Sequence, residues 1–211
     1  MAPLLFSLAS LLFPLLYYHV TAVPVQLYGI NYNTRKGADW QPASLKCETY
    51  LEVKTDLTIL SRITNRIRIL SLTDCGQGEL VLGIAKELGL QVWLGLWVSE
   101  DPNVFDMEVA ALQDLLSRGW IDDTVLGISV GSESIYRKEV TIDESIALED
   151  QVKQILVDAG RDDVLVSICD IAPTYQYNSQ LVTAVDIVVV NSFPFWEAID
   201  INGATDYLLE E

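Results

Sequence analysis

The sequence predicts an α/β fold in which parallel strands form a (β/α)8 TIM barrel, with about six β/α units present in 211 residues. Three observations support this prediction. Short apolar strands alternate with segments of helical periodicity, which indicates a parallel sheet covered by helices. No glycine-rich phosphate-binding loop follows the first strand, although a nucleotide-binding doubly wound sheet would have one. Polar and aromatic residues collect directly after the strands, at the rim where barrels carry their sites.

The individual elements follow from apolar runs and helix-end signals. The predicted strands are short, mainly apolar runs at 25–32, 66–72, 91–98, 125–130, 164–169 and 186–191. Apolar residues at helical spacing predict helices at 45–63, 80–88, 103–117, 141–160 and 179–184, and a further helix from residue 204 onward. Gly89 and Gly160 close the second and fourth helices, because glycine readily adopts the left-handed C-cap conformation. Thr141 and Glu144 form a capping box that opens the fourth.

The number of strands predicts an open structure. Six strands do not close an eight-stranded barrel, so the sixth strand is predicted to leave an exposed edge, which invites pairing with other chains. A (β/α)8 barrel typically needs about 250 residues. We therefore expect the natural chain to continue past Glu211.

The charge balance narrows the class of partner. The 30 acidic residues outnumber 13 basic ones and give a net charge of −17. The electrostatic field of this negative charge repels phosphate backbones and anionic lipid headgroups, so nucleic acid is disfavoured as a partner. A neutral polysaccharide is not disfavoured. The alternative interpretation is that the acidity serves solubility alone.

The first 22 residues form an uncharged, apolar segment, MAPLLFSLASLLFPLLYYHVTA. We interpret residues 1–22 as a signal peptide cleaved after Ala22, where the side chains are small, and residues 23–211 as the barrel domain. An uncleaved membrane anchor is the alternative, because the run approaches the length that spans a bilayer. Pro14 and the lack of flanking Lys or Arg argue against the anchor. The leader predicts a secreted protein, outside the cell or in the cell wall.

The residue types available for catalysis are limited. The single histidine, His19, lies in the predicted leader, so the mature chain would lack Ser-His-Asp and Cys-His chemistry and any His-ligated metal. Of the three cysteines, Cys47 and Cys75 are the expected disulfide pair, because both lie early in adjacent β/α units. Cys169 is then buried and free. No C-x-x-C or metal-like spacing occurs, so neither a metal nor a cofactor is expected.

Glu133 is the first candidate for catalysis. The fourth predicted strand is apolar and is followed by Gly131-Ser132-Glu133. This order places a carboxyl group at the rim of the predicted barrel, partly surrounded by apolar residues. Such surroundings disfavour a charged carboxylate, as a general acid requires. The alternative is a glutamate that caps a turn or simply faces solvent.

Five segments carry a resemblance to a known family. They read YGINYN at 28–33, RIRILSLTDC at 66–75, ELVLGIAKELGLQVWLGLWV at 79–98, ISVGSESIYR at 128–137 and VVVNSFPFW at 188–196. In this order they resemble glycoside hydrolase family 17, the β-1,3-glucanase family, and its fungal-type members in particular. The resemblance spans nearly all of the chain after the leader. It implies a retaining endo-1,3-β-glucosidase acting on β-1,3-glucan polysaccharide, and we expect a monomer.

The resemblance assigns a role to Glu133, because the family has its acid/base glutamate after the fourth strand. The preceding residue is usually an asparagine that binds the sugar 2-hydroxyl in related barrels, whereas this chain has Ser132. The family nucleophile is a second glutamate after a seventh strand, in a Gly-Glu-Thr-Gly-Trp-like segment that these 211 residues do not contain. Glu197 is the nearest substitute by position. Half of the catalytic pair is therefore expected to be missing here.

Substrate contacts are expected from residues at the strand ends. The family segment after the sixth strand usually reads Asn-x-Tyr-Pro-Phe, and here it is NSFPF at 191–195. Aromatic faces stack on the apolar faces of pyranose rings, and polar side chains bind their hydroxyls. The predicted substrate-binding residues are Tyr32, Asp74, Trp97, Ser132, Asn191, Phe193 and Phe195.

Several neighbouring positions have a different or double interpretation. Trp93 lies in mid-strand and is interpreted as a core residue, whereas Asp74 alternatively caps the helix that begins near residue 78. Tyr136 and Arg137 follow the acid/base and are expected to shape the cleft. Asp170 is interpreted as a loop residue.

Two functions compete with hydrolysis. A non-catalytic β-glucan-binding relative would keep the aromatic rim and bind the polymer without releasing reducing ends. A cell-wall glucan transglycosylase would use the same site and form longer oligosaccharides. A third possibility is a non-functional pseudogene product, which would not unfold cooperatively.

Overall fold

The computed structural model describes residues 26–210, so the predicted leader at 1–22 lies outside the described residues. The strands within this range are β1 (Ile30–Asn31), β2 (Arg66–Arg68), β3 (Gln91–Leu96), β4 (Val125–Val130), β5 (Leu165–Ile171) and β6 (Val189–Asn191). The helices are α1 (Ala43–Lys46), α2 (Tyr50–Leu60), α3 (Gln77–Leu88), α4 (Pro102–Ser117), α5 (Ile142–Asp158), α6 (Ala172–Tyr177), α7 (Ser179–Ala184) and α8 (Ala204–Glu210).

All the strands belong to one parallel sheet in the order β1-β2-β3-β4-β5-β6. The sheet is curled. Arg68 on β2 contacts Cys169 on β5 at 2.9 Å and Asn191 on β6 at 3.4 Å, whereas a flat sheet would separate β2 from β6 by about 19 Å at ~4.8 Å per strand. The predicted α/β class and the partial TIM barrel of six units are therefore confirmed.

The observed strands are shorter than predicted at both edges. The runs 25–32 and 186–191 contract to Ile30–Asn31 and Val189–Asn191, because β1 and β6 each have a partner on one side only. The second strand ends at Arg68 rather than at residue 72, although Ile69 N still donates to Trp93 O at 3.0 Å. The predicted helix 45–63 is two helices, since Thr49 forms its own capping box with Glu52 and opens α2.

The helix-end predictions that rest on local chemistry are confirmed. Thr141 accepts a hydrogen bond from Glu144 N at 3.2 Å and Thr141 N donates to the Glu144 carboxylate at 2.7 Å, which is the capping box of α5. Gly89 ends α3 with φ of 67°, and Gly160 follows α5 with φ of 70°. Both glycines adopt the left-handed conformation that a C-cap requires.

On the concave side of the sheet, Trp93 on β3 packs against β4. Trp93 donates from Nε1 to Ser129 Oγ at 2.8 Å, and a Cβ atom on Gly127 would lie 2.6 Å from the Trp93 ring. Trp93 is therefore a packing residue, and glycine at 127 is what admits its ring beside β4. Leu94, Leu96 and Ile128 alternate with these residues along β3 and β4, so they face the opposite side of the sheet, where they are fully buried in the main core.

Within residues 26–210, no helix combines the length and the apolar character that a membrane span needs.

A charge pair on α5, with a fully buried carboxylate, joins this helix to the segment between α7 and β6. Glu149 is 0% exposed, and its Oε1 lies 2.9 Å from Lys153 Nζ, but neither carboxylate oxygen has hydrogen-bond geometry to any described residue. Lys153 Nζ also donates to Ala184 O at 2.6 Å and lies 3.1 Å from Asp186 Oδ1. Burial raises the pKa of Glu149 to about 7, a rise that Asp186 and Asp150 assist and Lys153 opposes.

This raised pKa predicts a pH-dependent stability. The contribution of a carboxyl with a raised pKa is fully present below its ordinary value near 4.5 and is lost as the pH rises through about 7. The Glu149→Gln variant lacks this ionisation. From about pH 5 to pH 8 its free energy of unfolding should therefore rise relative to the wild type by on the order of 2 kcal/mol. Urea unfolding at the two pH values measures this, with Asp143→Asn, which removes an exposed carboxylate from the same helix, as the control. The same pH dependence in Glu149→Gln as in the wild type would contradict it.

Candidate active site

The loop after β4 holds Glu133 in an unusual backbone conformation. Gly131 and Glu133 have φ of 72° and 60°, in the left-handed region that residues other than glycine rarely occupy. Gly131 N donates to Leu96 O on β3 at 2.8 Å, and Glu133 N donates to Cys169 O on β5 at 2.9 Å. The neighbouring strands therefore stabilise Glu133 in this conformation at the carboxyl end of β4. Backbone strain of this kind is concentrated at functional sites.

The side chain of Glu133 is hydrogen-bonded across the sheet. Asn191, the last residue of β6, donates from Nδ2 to Glu133 Oε1 at 2.7 Å and to Ser132 Oγ at 3.2 Å. Ser132 is only 7% exposed, whereas Glu133 is half-buried. Three of the predicted site residues are thus brought together at one end of the curled sheet.

Two further residues determine which way the Asn191 amide points. Asn191 Oδ1 accepts from Arg68 Nη1 at 3.4 Å and from Cys169 Sγ at 3.3 Å, which leaves Nδ2 to face Glu133. Cys169 is the buried free cysteine, and burial raises the pKa of its thiol, so it remains a protonated donor. Arg68 and Cys169 therefore position Asn191, and through it Glu133.

The sequence interpretation included neither Arg68 nor Cys169 among the site residues. A signal for Arg68 was available, because Arg66 and Arg68 alternate with Ile67 and Ile69 in a strand that the apolar Leu70 follows. A charged residue on such a strand points to a polar interior site in a barrel. No comparable signal exists for Cys169, since its contacts depend on the curvature of the sheet.

Trp97 lies directly beyond β3 and is held by Arg137. The Arg137 Cζ atom is 5.0 Å from the centre of the Trp97 ring, within the range of a cation–π contact. The same guanidinium donates to Ser132 O and, through Nε and Nη2, to the Glu139 carboxylate at 3.0 and 2.7 Å. The hydrogen bond to Glu139 raises the pKa of Arg137. Arg137 therefore joins the predicted sugar platform to the loop that carries Glu133.

Asp74 lies on the loop after β2, where other side chains engage its carboxylate. Arg35 Nε and Nη2 donate to it at 2.9 and 2.7 Å, and Lys46 Nζ lies 3.9 Å away. Gly76 is the N-cap of α3, without a side-chain cap, so Asp74 does not cap that helix. The adjacent Cys75 forms the disulfide with Cys47, with 5.4 Å between the Cα atoms.

Tyr32 also has partners outside the Glu133 cluster. Its hydroxyl donates to Glu48 Oε2 at 2.7 Å and lies 3.5 Å from Asp56 Oδ2. Burial, followed by the hydrogen bond to Glu48, raises the pKa of the Tyr32 hydroxyl. Neither Tyr32 nor Asp74 has a described hydrogen bond to Glu133, Ser132 or Asn191. Their contact with substrate stays a prediction.

The segment after β6 presents its aromatic residues to solvent. Phe193, Phe195 and Trp196 are 48%, 82% and 75% exposed, and the rings of Phe195 and Trp196 meet edge to face at 5.3 Å. Glu197, the nearest substitute for a nucleophile, is also exposed. These aromatic faces are available to a ligand.

The interpretation of Asp170 as a loop residue was wrong. Asp170 belongs to β5 and is 0% exposed. Its Oδ2 accepts from Ile135 N at 3.0 Å and Tyr136 N at 3.3 Å, while Oδ1 accepts from Thr174 Oγ1 at 2.7 Å. A buried carboxylate with this many donors has a structural role. It fixes the turn that follows Glu133.

The comparisons with known proteins decide the family. The model of the BtgE/BtgC glycoside hydrolase domain matches residues 29–211. The chain belongs to this family. Its relatives include the glucan endo-1,3-beta-glucosidase btgC of Emericella nidulans, 28% identical over 162 residues, and the glucan 1,3-beta-glucosidase of Saccharomyces cerevisiae, 25% identical over 175 residues.

The solved structures agree with this assignment to the BtgE/BtgC domain. An active-site mutant of the Rhizomucor miehei beta-1,3-glucanosyltransferase, in complex with laminaritriose, superposes with a TM-score of 0.73 at 32% identity. A crystal structure of the glycoside hydrolase family 17 beta-1,3-glucanosyltransferase from Rhizomucor miehei gives a TM-score of 0.72 at 31% identity. The predicted resemblance to family 17 is confirmed.

The match covers only part of these proteins. The BtgE/BtgC chain described here aligns over 74% of its length with 24% of the Emericella protein, and over 75% with 53% of the Saccharomyces protein. It aligns over 87% of its length with 63% of the Rhizomucor chain. It therefore spans about a quarter to a half of the curated relatives.

Proposed function

We propose that this protein processes β-1,3-glucan as a retaining glycosidase of the endo-1,3-β-glucosidase type, with Glu133 as the acid/base. The observation that carries the proposal is the carboxyl group of Glu133 at the carboxyl end of β4, which a strained backbone and Asn191 hold in place. A retaining reaction needs a positioned carboxylic acid that protonates the leaving glycosidic oxygen. The same group then deprotonates the incoming nucleophile in the second step.

The reaction also requires a second carboxylate, about 5–5.5 Å from the first. The family resemblance assigns it to a position after a seventh strand, and among residues 26–210 the sheet ends at β6. Arg68 supports a second anion at this site, because its Nε is buried and has no hydrogen-bond acceptor among the described residues. A buried guanidinium nitrogen without an acceptor is costly, and a carboxylate beside β2 and β6 would satisfy it.

The substrate class follows from charge and from the aromatic rim. A net charge of −17 opposes anionic polymers and leaves a neutral glucan as the fitting partner. Trp97 is half-buried beside the Glu133 loop, and Phe193 and Phe195 are exposed beyond β6. The laminaritriose complex of the Rhizomucor relative supports a β-1,3-linked ligand.

Glucanosyl transfer is the second candidate function, and a specific observation favours it. The Rhizomucor protein at 32% identity is named a beta-1,3-glucanosyltransferase. Hydrolysis and transfer share the glycosyl-enzyme intermediate and differ in whether water or a sugar hydroxyl attacks it. Both fit secretion to a cell wall after cleavage of the leader, which N-terminal sequencing of the exported protein would test.

Calorimetric titration of the protein with laminaritriose, and then with cellotriose, tests the substrate class. We expect laminaritriose to bind at least about tenfold more tightly, which corresponds to ~1.4 kcal/mol. Equal affinities, or no binding of laminaritriose, would contradict the proposal. Incubation with laminari-oligosaccharides then separates the activities: reducing ends indicate hydrolysis, and longer products indicate transfer. Binding without either product, in a form of the protein that includes the second catalytic carboxylate, would identify a non-catalytic glucan-binding protein.

A further inference from the structure

Trp40 is an exposed tryptophan on the loop between β1 and α1. Its side chain is 85% exposed, the largest exposed fraction among the large apolar residues of the described chain. A tryptophan offers more apolar surface than almost any other residue, so its exposure to water is unfavourable and usually marks a binding surface. Neither the sequence interpretation nor the Glu133 cluster includes it.

The turn that carries Trp40 is closed by two hydrogen bonds. Gln41 N donates to Ala38 O at 3.0 Å, and Ala38 N donates to Gln41 Oε1 at 2.7 Å. Gly37 precedes this turn, and a Cβ atom there would lie 2.3 Å from Gln41 Oε1 and 2.5 Å from Leu45 O. Glycine at 37 is thus what allows the tight closure, and Trp40 is held at the tip of a well-defined turn.

The rest of the loop is anchored to the sheet and to α2. Cys47 is bonded to Cys75 on the loop after β2, and Arg35 pairs with Asp74 on that same loop and with Asp39 beside Trp40. Lys36 Nζ lies 2.6 Å from Glu52 Oε1 on α2. A side chain on such a loop loses little conformational entropy when a ligand binds. Arg35 and Lys36 are thus paired with acidic residues, and the indole is the large exposed apolar group of the loop.

The topology places Trp40 on the rim that carries Glu133. The sheet is parallel, so the loops after β1, β2 and β4 all leave from its carboxyl edge. Trp40 follows β1 and Glu133 follows β4, three strands away in the sheet order. A linear polymer that is bound at Glu133 and crosses the open end of the curled sheet runs along this carboxyl edge.

From these observations we infer that Trp40 is a remote binding platform for the glucan chain, stacking on a sugar residue several units from the bond at Glu133. The inference rests on the proposed function, since it takes β-1,3-glucan as the ligand. Stacking suits a neutral pyranose, whose C–H face packs on an aromatic ring. An anionic occupant is opposed by the net charge of −17.

Two ligands of different length test the platform. Trp40→Ala should weaken binding of long-chain laminarin about threefold to tenfold, as expected when one aromatic contact is lost, and leave binding of laminaritriose at Glu133 unchanged. Trp40→Phe should keep most of the affinity for laminarin. The matched control is Tyr28→Ala, because Tyr28 is 82% exposed at the opposite end of the same strand; its affinities should equal those of the wild type.

The outcomes separate this inference from the function on which it rests. Laminarin affinity in Trp40→Ala equal to that of the wild type would overturn the platform and leave the proposed function intact. An equal loss for laminarin and laminaritriose would also overturn it, since a remote contact cannot affect the short ligand. Failure of the wild type to bind either glucan would overturn both.

Discussion

In a form of the protein that includes the second catalytic carboxylate, replacing Glu133 by glutamine is expected to lower the turnover of laminari-oligosaccharides about 10²- to 10⁴-fold, the usual contribution of a general acid/base. Glutamine keeps the shape of the side chain and its contact with Asn191, now 2.7 Å from Oε1, but cannot transfer a proton. Binding of laminaritriose, measured by calorimetric titration, should be within about twofold of the wild type, because the affected interaction develops in the transition state. The thermal midpoint should also be unchanged.

The leaving group provides the control for this prediction. An aryl β-laminaribioside with a dinitrophenolate leaving group needs no proton donor in the first step, so Glu133→Gln should lose much less rate with this substrate than with the oligosaccharide. Azide, which attacks without general-base help, should accelerate the second step and yield a glycosyl azide. Equal losses with both substrates, and no effect of azide, would show that residue 133 is not the acid/base.

Replacing Glu108 by alanine is expected to cause the largest loss of stability, about 3–5 kcal/mol. The substitution leaves several buried hydrogen-bond donors without an acceptor. Glu108 on α4 is 0% exposed. It accepts from Leu72 N at 2.6 Å and from Thr73 Oγ1 at 2.7 Å, and also from Ser71 Oγ. Burial raises the pKa of Glu108 and these hydrogen bonds oppose the rise. Urea unfolding measures the loss.

Two comparisons define the role of Glu108. Asp106→Ala removes an exposed carboxylate from the same helix and should change stability by less than about 0.5 kcal/mol. Glu108→Gln keeps the volume but turns an amide N–H₂ toward donors, so an intermediate loss is expected. A Glu108→Ala variant as stable as Asp106→Ala would contradict the account of the β2–α3 loop.

The order of the elements was predictable because it depends on local pattern. Apolar runs and helix caps are short-range features, so the six units and the capping box at Thr141 follow from the chain alone. Glu133 and Ser132 were predictable for the same reason, since they follow closely after the end of β4 at Val130. The strand ends were less predictable, because the lengths of β1 and β6 depend on which neighbours they pair with.

The contacts that depend on the curvature of the sheet could not be predicted from the sequence pattern. Arg68 and Asn191 are 123 positions apart in the chain and meet only because the sheet curls. Asp170 has the same origin: nothing local distinguishes a carboxylate that leaves a strand for a loop from one that turns inward onto the backbone of Ile135 and Tyr136. Tyr32 likewise meets its acidic partners only in the fold, with Glu48 just before α2 and Asp56 on that helix.

The position of a bound oligosaccharide tests the central claim most directly. A crystal structure of Glu133→Gln with laminaritriose should show a glycosidic oxygen within hydrogen-bond distance, about 3 Å, of the residue 133 carboxamide, with a sugar ring against Trp97 or Phe195. A trisaccharide that binds elsewhere, or that crosses the mouth with no glycosidic oxygen near residue 133, would contradict the assignment of Glu133 as the acid/base.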